Sequence, residues 1–249
     1  MMKEWKLFFY TPFALIILPL FMLLCGTYYY SALDRYLNLT NPNQTLKVIS
    51  GVTTTTHLLL PYLQNLLNIF IFAIPIITMR SFSEEKKLGS YDLLISYPLS
   101  PWQIFFGKYL GALTLSLLLL LLSFIFVGWT ILKGDVFLPQ IFSAYLGLFL
   151  FILFYNAVGV LASLLTENQI VAALIGYGVF FSTILFQWLA YVSGAPWDTF
   201  FANFLFVSHL DSFRNGLIFV GDVAAFICMT SALIIAGYWK LRKHYRKLV

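Results

Sequence analysis

The residues able to do chemistry are few, and most are scattered. His57, His209 and His244 lie far apart, and no histidine or cysteine group has the spacing of a zinc site. Cys25 and Cys228 sit in apolar runs, where a disulfide framework is not expected, so both read as small packing residues. Gly107-Lys108 resembles the end of a phosphate-binding loop, but Tyr109 follows it and Trp102 stands where the first glycine belongs, so the pair opens an apolar segment instead. The apolar segments hold no paired carboxylates and no histidine–carboxylate group, which disfavours a membrane-embedded enzyme. What does cluster is charge. Arg80, Glu84, Glu85, Lys86, Lys87 and Asp92 share one short stretch, and the chemistry open to such a stretch is recognition of another surface. The plainer reading of Glu85 is a surface pair with Lys86 or Arg80, worth less than about 1 kcal/mol.

A second set of polar residues lies inside apolar sequence. Gln64, Asn65, Asn68, Asn156 and Gln187 fall at membrane depth, where polar groups face other helices or a path rather than lipid. Gln64, Asn68 and Asn156 are the candidate path residues. No segment centre carries a charge, which argues against a proton relay and fits a lipid-like, peptide or polymer cargo better than an inorganic ion. His209, Asp211 and Arg214 lie between two apolar runs and are candidate gate residues, with ordinary hydrogen bonding in a turn as the alternative.

These residues have to be positioned by membrane helices. Of the 249 residues 61% are hydrophobic and only 10% charged, against about a quarter charged in soluble domains. Apolar runs at 9–32, 58–79, 104–132, 141–165, 170–192 and 217–239 are each long enough to cross a hydrocarbon layer of about 30 Å as a helix. They lack the alternation of a membrane barrel, so the expected fold is an all-α polytopic membrane protein of one domain with six transmembrane helices. Pro12, Pro19, Pro61 and Pro75 predict kinks in the first two. The first run is too long for a signal peptide and is retained as a span. Residues 2–10 mix Lys3, Glu4 and Lys6 with aromatic side chains and read as a short interfacial helix.

With the N-terminus inside, the inner segments hold Lys3, Lys6, Arg80, Lys86, Lys87, Lys108, Lys240, Arg242, Lys243, Arg246 and Lys247, leaving Arg35, Lys47, Lys133 and Arg214 outside. That bias places both termini in the cytoplasm. The outer segment 191–216 is too apolar for a free loop, which predicts either re-entrant helices or an aromatic belt. On the inner side, Ser90 is suited to cap a short amphipathic helix over 91–97 that carries Leu93, Leu94 and Tyr97 and is stopped by Pro98. A connection this elaborate predicts a docking surface, or else an anchor lying flat on the membrane.

Ile77-Thr78-Met79-Arg80-Ser81-Phe82, Glu84-Glu85-Lys86, Gly89-Ser90-Tyr91-Asp92-Leu93-Leu94, Tyr97-Pro98-Leu99-Ser100 and Gly107-Lys108 together resemble ABC-2-type transporter permeases. The match looks closest to the branch associated with gliding motility and nitrous-oxide-reductase maturation. Ala144–Leu148, Ala162-Ser163-Leu164-Leu165-Thr166-Glu167-Asn168-Gln169, and Ser208-His209 with Ser212–Gly216 and Gly221-Asp222 extend it over residues 75–222. Ser90 departs from the family's usual threonine, and either residue can cap a helix.

The resemblance implies an exporter permease with no cofactor of its own, driven by two separate ABC ATPase subunits that carry ATP and Mg. It implies a second permease subunit, a bacterial cytoplasmic (inner) membrane, the lipid bilayer as solvent, and no nucleic-acid partner. Residues 90–97 would be the coupling helix. Glu84, Glu85, Lys86, Gly89, Ser90, Tyr91, Leu94 and Pro98 would form or brace the ATPase contact. Thr166, Glu167 and Asn168 would add a second contact, with a plain helix-capping role for Glu167 as the alternative. Dimerisation through spans one and five is implied by the same analogy. The alternative function is a non-transporting mechanical transmitter that passes ATP-driven motion to an extracytoplasmic accessory protein.

Overall fold

A computed structural model describes residues 12–40, 53–91, 99–193 and 206–248. Among the described residues the chain is helical, with no strand, and six helices are long and apolar enough to cross a membrane. The expected all-α polytopic architecture is therefore observed. Helix α1 spans Pro12–Thr40. A π-helical turn, Thr55–Leu59, leads into α2, Leu60–Thr78, and the short polar α3, Arg80–Lys87, follows after Met79. Then come α4 (Pro101–Lys133), α5 (Leu138–Leu165), α6 (Gln169–Ser193), the short α7 (Phe206–Arg214) and α8 (Val220–Leu248). The expected interfacial helix at 2–10 lies outside the described residues.

Local chemistry sets the ends. Ser100 and Gln103 form a reciprocal capping box at the start of α4, with Pro101 at the first helical position. The helix therefore starts three residues before the apolar run does. At about 50 Å, α4 exceeds the hydrocarbon thickness and has length to tilt or protrude. Helix α1 continues to Thr40, eight residues past its apolar run. Asn38 bonds the Asp34 carboxylate one turn back (3.2 Å) and Tyr36 bonds Thr54 (3.2 Å), so polar contacts carry the helix beyond the run. Of the four prolines expected to kink spans, Pro19 and Pro75 are interior, and Pro61 follows directly on the π-helical turn within one continuous span.

Helix α5 is the hub. It packs against α2, α3, α4, α6, α7 and α8. Its spanning window is 78% buried, against 17% for α1, α6 and α8. Glycines make this closeness possible. A Cβ at Gly159 would collide with the Thr78 side chain of α2, standing 2.8 Å from the Thr78 Cβ, and one at Gly147 would stand 2.8 Å from the Phe213 Cβ of α7. Between α8 and α4, a Cβ at Gly237 would strike the ring of Phe105.

Candidate functional site

The charged stretch lies at the end of the bundle where α2 gives way to α3, α4 begins and α5 turns into α6. Helix α3 has no side-chain cap from its own segment. Its cap comes from α5 instead. The Ser163 hydroxyl accepts from the backbone N–H of Phe82 (2.9 Å) and of Ser83 (3.1 Å), and donates to the Met79 carbonyl (3.1 Å). It stands between the two groups, Met79 carbonyl and Ser83 amide, that an unbroken helix would join. Ser163 and Phe82 are fully buried. One turn on, the Lys86 ammonium donates to the Leu164 carbonyl at 2.6 Å, placing a cation on the negative end of α5.

Glu85 reaches a cation of α4. Its Oε1 accepts from Lys108 Nζ at 2.5 Å, and Lys108 is buried within α4, 5.7 Å from the Phe82 ring centre. A lysine buried this close to the end of a span needs a partner, and α3 supplies it. Phe82 in turn stacks on Phe105 of α4. Helix α3 is thus joined to α5 by backbone groups and to α4 by an ion pair.

Gly89 ends α3. Its φ is +68°, the Gly89 amide bonds the Lys86 carbonyl and the Ser90 amide bonds the Glu85 carbonyl, which is a Schellman closure. Nothing lies near a Cβ at Gly89, so glycine is there for its backbone conformation and not for space. The Ser90 hydroxyl also bonds the Glu85 carbonyl (3.3 Å), so in the structure it helps close α3. Tyr91 is buried and lies 5.3 Å from the Lys86 ammonium, which makes it an anchor of the loop. Leu94 and Pro98, with the rest of 92–98, lie outside the described residues. Glu84 is half-buried, while Leu88 at the tip is exposed.

The α5–α6 turn is capped by Asn168. Its side-chain oxygen accepts from the Ile170 amide (2.9 Å), its carbonyl accepts from the Ala172 amide, and Thr166 Oγ1 accepts from the Asn168 amide (3.1 Å). The cap therefore falls to Asn168 and not to Glu167, which is exposed.

At the opposite end, α7 holds the candidate gate residues. His209 Nδ1 lies 2.7 Å from Asp222 Oδ1, tying α7 to the first turn of α8. Asp211 and Arg214 are a looser, exposed pair at 3.8 Å. Gly216 (φ +80°) closes α7 with a second Schellman pair, Gly216 amide to Phe213 carbonyl and Leu217 amide to Ser212 carbonyl. Asp211 and Arg214 share a groove with Gln64 of α2 and Gly147 of α5. Asn68 lines a different groove, with Phe21 and Tyr28 of α1. Asn156 is fully buried and bonds Ser116 of α4 (3.1 Å) and the Ile152 carbonyl (2.8 Å). Gln64 and Asn68 stand one turn apart on the exposed side of α2, while Asn156 is enclosed between α4 and α5.

Sequence reasoning passed over Ser163, Lys108 and Asp222 as participants. Lys108 is read from the sequence as opening a span, and the structure sets it inside α4 because the helix begins earlier, at Pro101. Ser163 carried no signal, since its partners are 80 residues and more away in sequence.

A family model described as "ABC-2 family transporter protein" matches residues 35–207, more than half of the chain. The match includes α3, Lys108, Ser163 and the α5–α6 turn. None of the curated proteins compared matches the chain.

Proposed function

The chain belongs to the ABC-2 transporter family and is a multi-pass permease subunit of an ABC transporter, and on that premise we propose that α3, with the segment after it and the α5–α6 turn, is where separate ATPase subunits dock and push. Both termini and this docking end face the cytoplasm of a bacterial inner membrane, a second permease subunit pairs through α1 and α6, and the motion drives export. The placement of lysine and arginine supports the orientation. The large exposed apolar side chains of α1 and α6, such as Leu23 and Leu185, leave room for the pairing. Within the family, the sequence resembles the branch associated with gliding motility and nitrous-oxide-reductase maturation, the Glu-Glu-Lys-x-x-Gly and Thr-Glu-Asn-Gln stretches being the most specific together. ATP and Mg belong to the partner, as no phosphate loop stands at Gly107-Lys108.

One observation carries the docking reading. Arg80–Lys87 is a charge-dense helix fixed to the hub helix by Ser163 and Lys86 rather than left on a free linker. A surface braced in this way passes a push from the ATPase into α5, and from there to every helix that α5 touches. The test is Leu94→Asp in the complex purified from native membranes. The variant permease should insert normally while the ATP hydrolysis of the complex loses its dependence on the permease; unchanged coupled hydrolysis with full function would sink the assignment.

One observation favours the second reading, mechanical transmission to an extracytoplasmic partner. Asn156 is fully buried and spent on an α4–α5 bond, while Gln64 and Asn68 face outward from α2, so among the described residues the three do not line one path. Mass spectrometry of the native complex decides between them. A stable extracytoplasmic protein retained at α7 and the 31–57 segment supports transmission, and its absence supports export.

A further inference from the structure

The break between α2 and α3 could have been capped by a residue of its own segment, as most helix starts are. Its amides are capped from α5 instead, by one buried hydroxyl making three bonds to backbone groups on both sides of the break, and the Ser83 hydroxyl of α3 shares the Met79 carbonyl. Two neighbouring contacts keep that hydroxyl in register. Thr78, just before the break, packs against Gly159, one turn before Ser163 on α5. Lys86, just after it, grips the Leu164 carbonyl. The direction in which α3 leaves α2 is therefore set by α5.

Resting on the permease reading above, we propose that Ser163 is a positioning residue for coupling. It locks the docking helix α3 and the C-terminal turn of α5 into one rigid joint, so that a displacement at α3 arrives at the far end of α5 without slack. Without the hydroxyl, the Met79 carbonyl and the Ser83 amide can close on each other. The α2–α3 segment then straightens, and α3 swings away from the α5–α6 turn.

The experiment uses the full chain co-purified with its ATPase from native membranes and reconstituted in nanodiscs, comparing wild type, Ser163→Ala and Ser163→Thr. Spin labels at Lys87 and Glu167, both exposed, report the α3-to-turn distance. Hydrogen exchange over α7 and the α4–α5 connection, with and without ADP-vanadate trapping, reports the far end. Wild type should hold one narrow distance in both states and show a trapping-dependent change in exchange. Ser163→Ala should shift or broaden the distance beyond the wild-type width and lose the far-end response, while still trapping vanadate. Ser163→Thr, which keeps the hydroxyl, should restore both. A wild-type distance and an intact far-end response in Ser163→Ala overturn the inference alone. A preparation in which no ATPase co-purifies, or in which trapping moves nothing in wild type, defeats the permease-driving reading and the inference with it.

Discussion

Lys108 and Glu85 illustrate how a buried charge is made tolerable at the edge of a bilayer. The lysine has only a few per cent of its surface exposed and the glutamate about a quarter, so the pair is neither a surface contact nor a sealed one. Removing the lysine takes from Glu85 the cation its Oε1 holds. Lys108→Met should cost roughly 2 kcal/mol, below the 3–5 typical of a fully buried pair because Glu85 keeps some water. The double variant Lys108→Met/Glu85→Gln should recover most of that loss. Thermal unfolding of the four variants in nanodiscs checks this, and additive losses would show that the two groups do not interact. The sequence shows a charge near the mouth of an apolar run, which needs a solution once the helix is seen to start at Pro101. The solution was not readable, because it comes from a helix on the far side of a turn whose direction only tertiary contacts decide.

At the scale of elements, helix identity was legible and helix ends were not. Lipid demands long apolar runs, and those are visible in any window of the chain. Ends depend on neighbours. Helix α1 outlasts its apolar run because Asp34 and Asn38 bond each other and Tyr36 finds Thr54, and α4 begins early because Ser100 and Gln103 cap each other. The contact between α2 and α5 is similarly specific. Alanine is favoured over glycine in a helix by about 1 kcal/mol, yet Gly159→Ala should lower the unfolding temperature, since overpacking costs about 1–3 kcal/mol and Thr78 is held in place by its bond to the Ile74 carbonyl (2.8 Å). Adding Thr78→Ala should recover only part of the loss, because the Thr78 Cβ remains 2.8 Å from the new methyl group. A rise in unfolding temperature for Gly159→Ala would mean the two helices separate more easily than this packing implies.

For the whole molecule, composition pointed to a membrane protein and charge placement to an orientation, but the hub role of α5 had no sequence signature. The runs of α4 and α5 are the most apolar, but apolarity suits lipid as well as protein, and which run is surrounded by protein is a matter of arrangement. The small residues Gly147 and Gly159 mark it only in retrospect, once Phe213 and Thr78 are seen against them. Orientation has a direct check. A maleimide that cannot cross membranes should label Asp135→Cys in intact cells but reach Lys243→Cys only after permeabilisation, with Cys25 and Cys228 replaced by serine. The reverse pattern would invert the topology and move the proposed docking end to the wrong side of the membrane.

The π-helical turn Thr55–Leu59 gives α2 one residue more than its path requires. Thr55, at the head of that turn, accepts from the Phe137 amide and so pins the entry of α5 (2.9 Å). A deletion in a regular span rotates everything beyond it by about 100° and turns lipid-facing side chains inward. This turn absorbs an extra residue without that rotation, and the proline that follows it, Pro61, has no N–H for an α-helical ladder. Among the spans described, it is a position where the chain carries an added residue and a proline and keeps Tyr62 in the core.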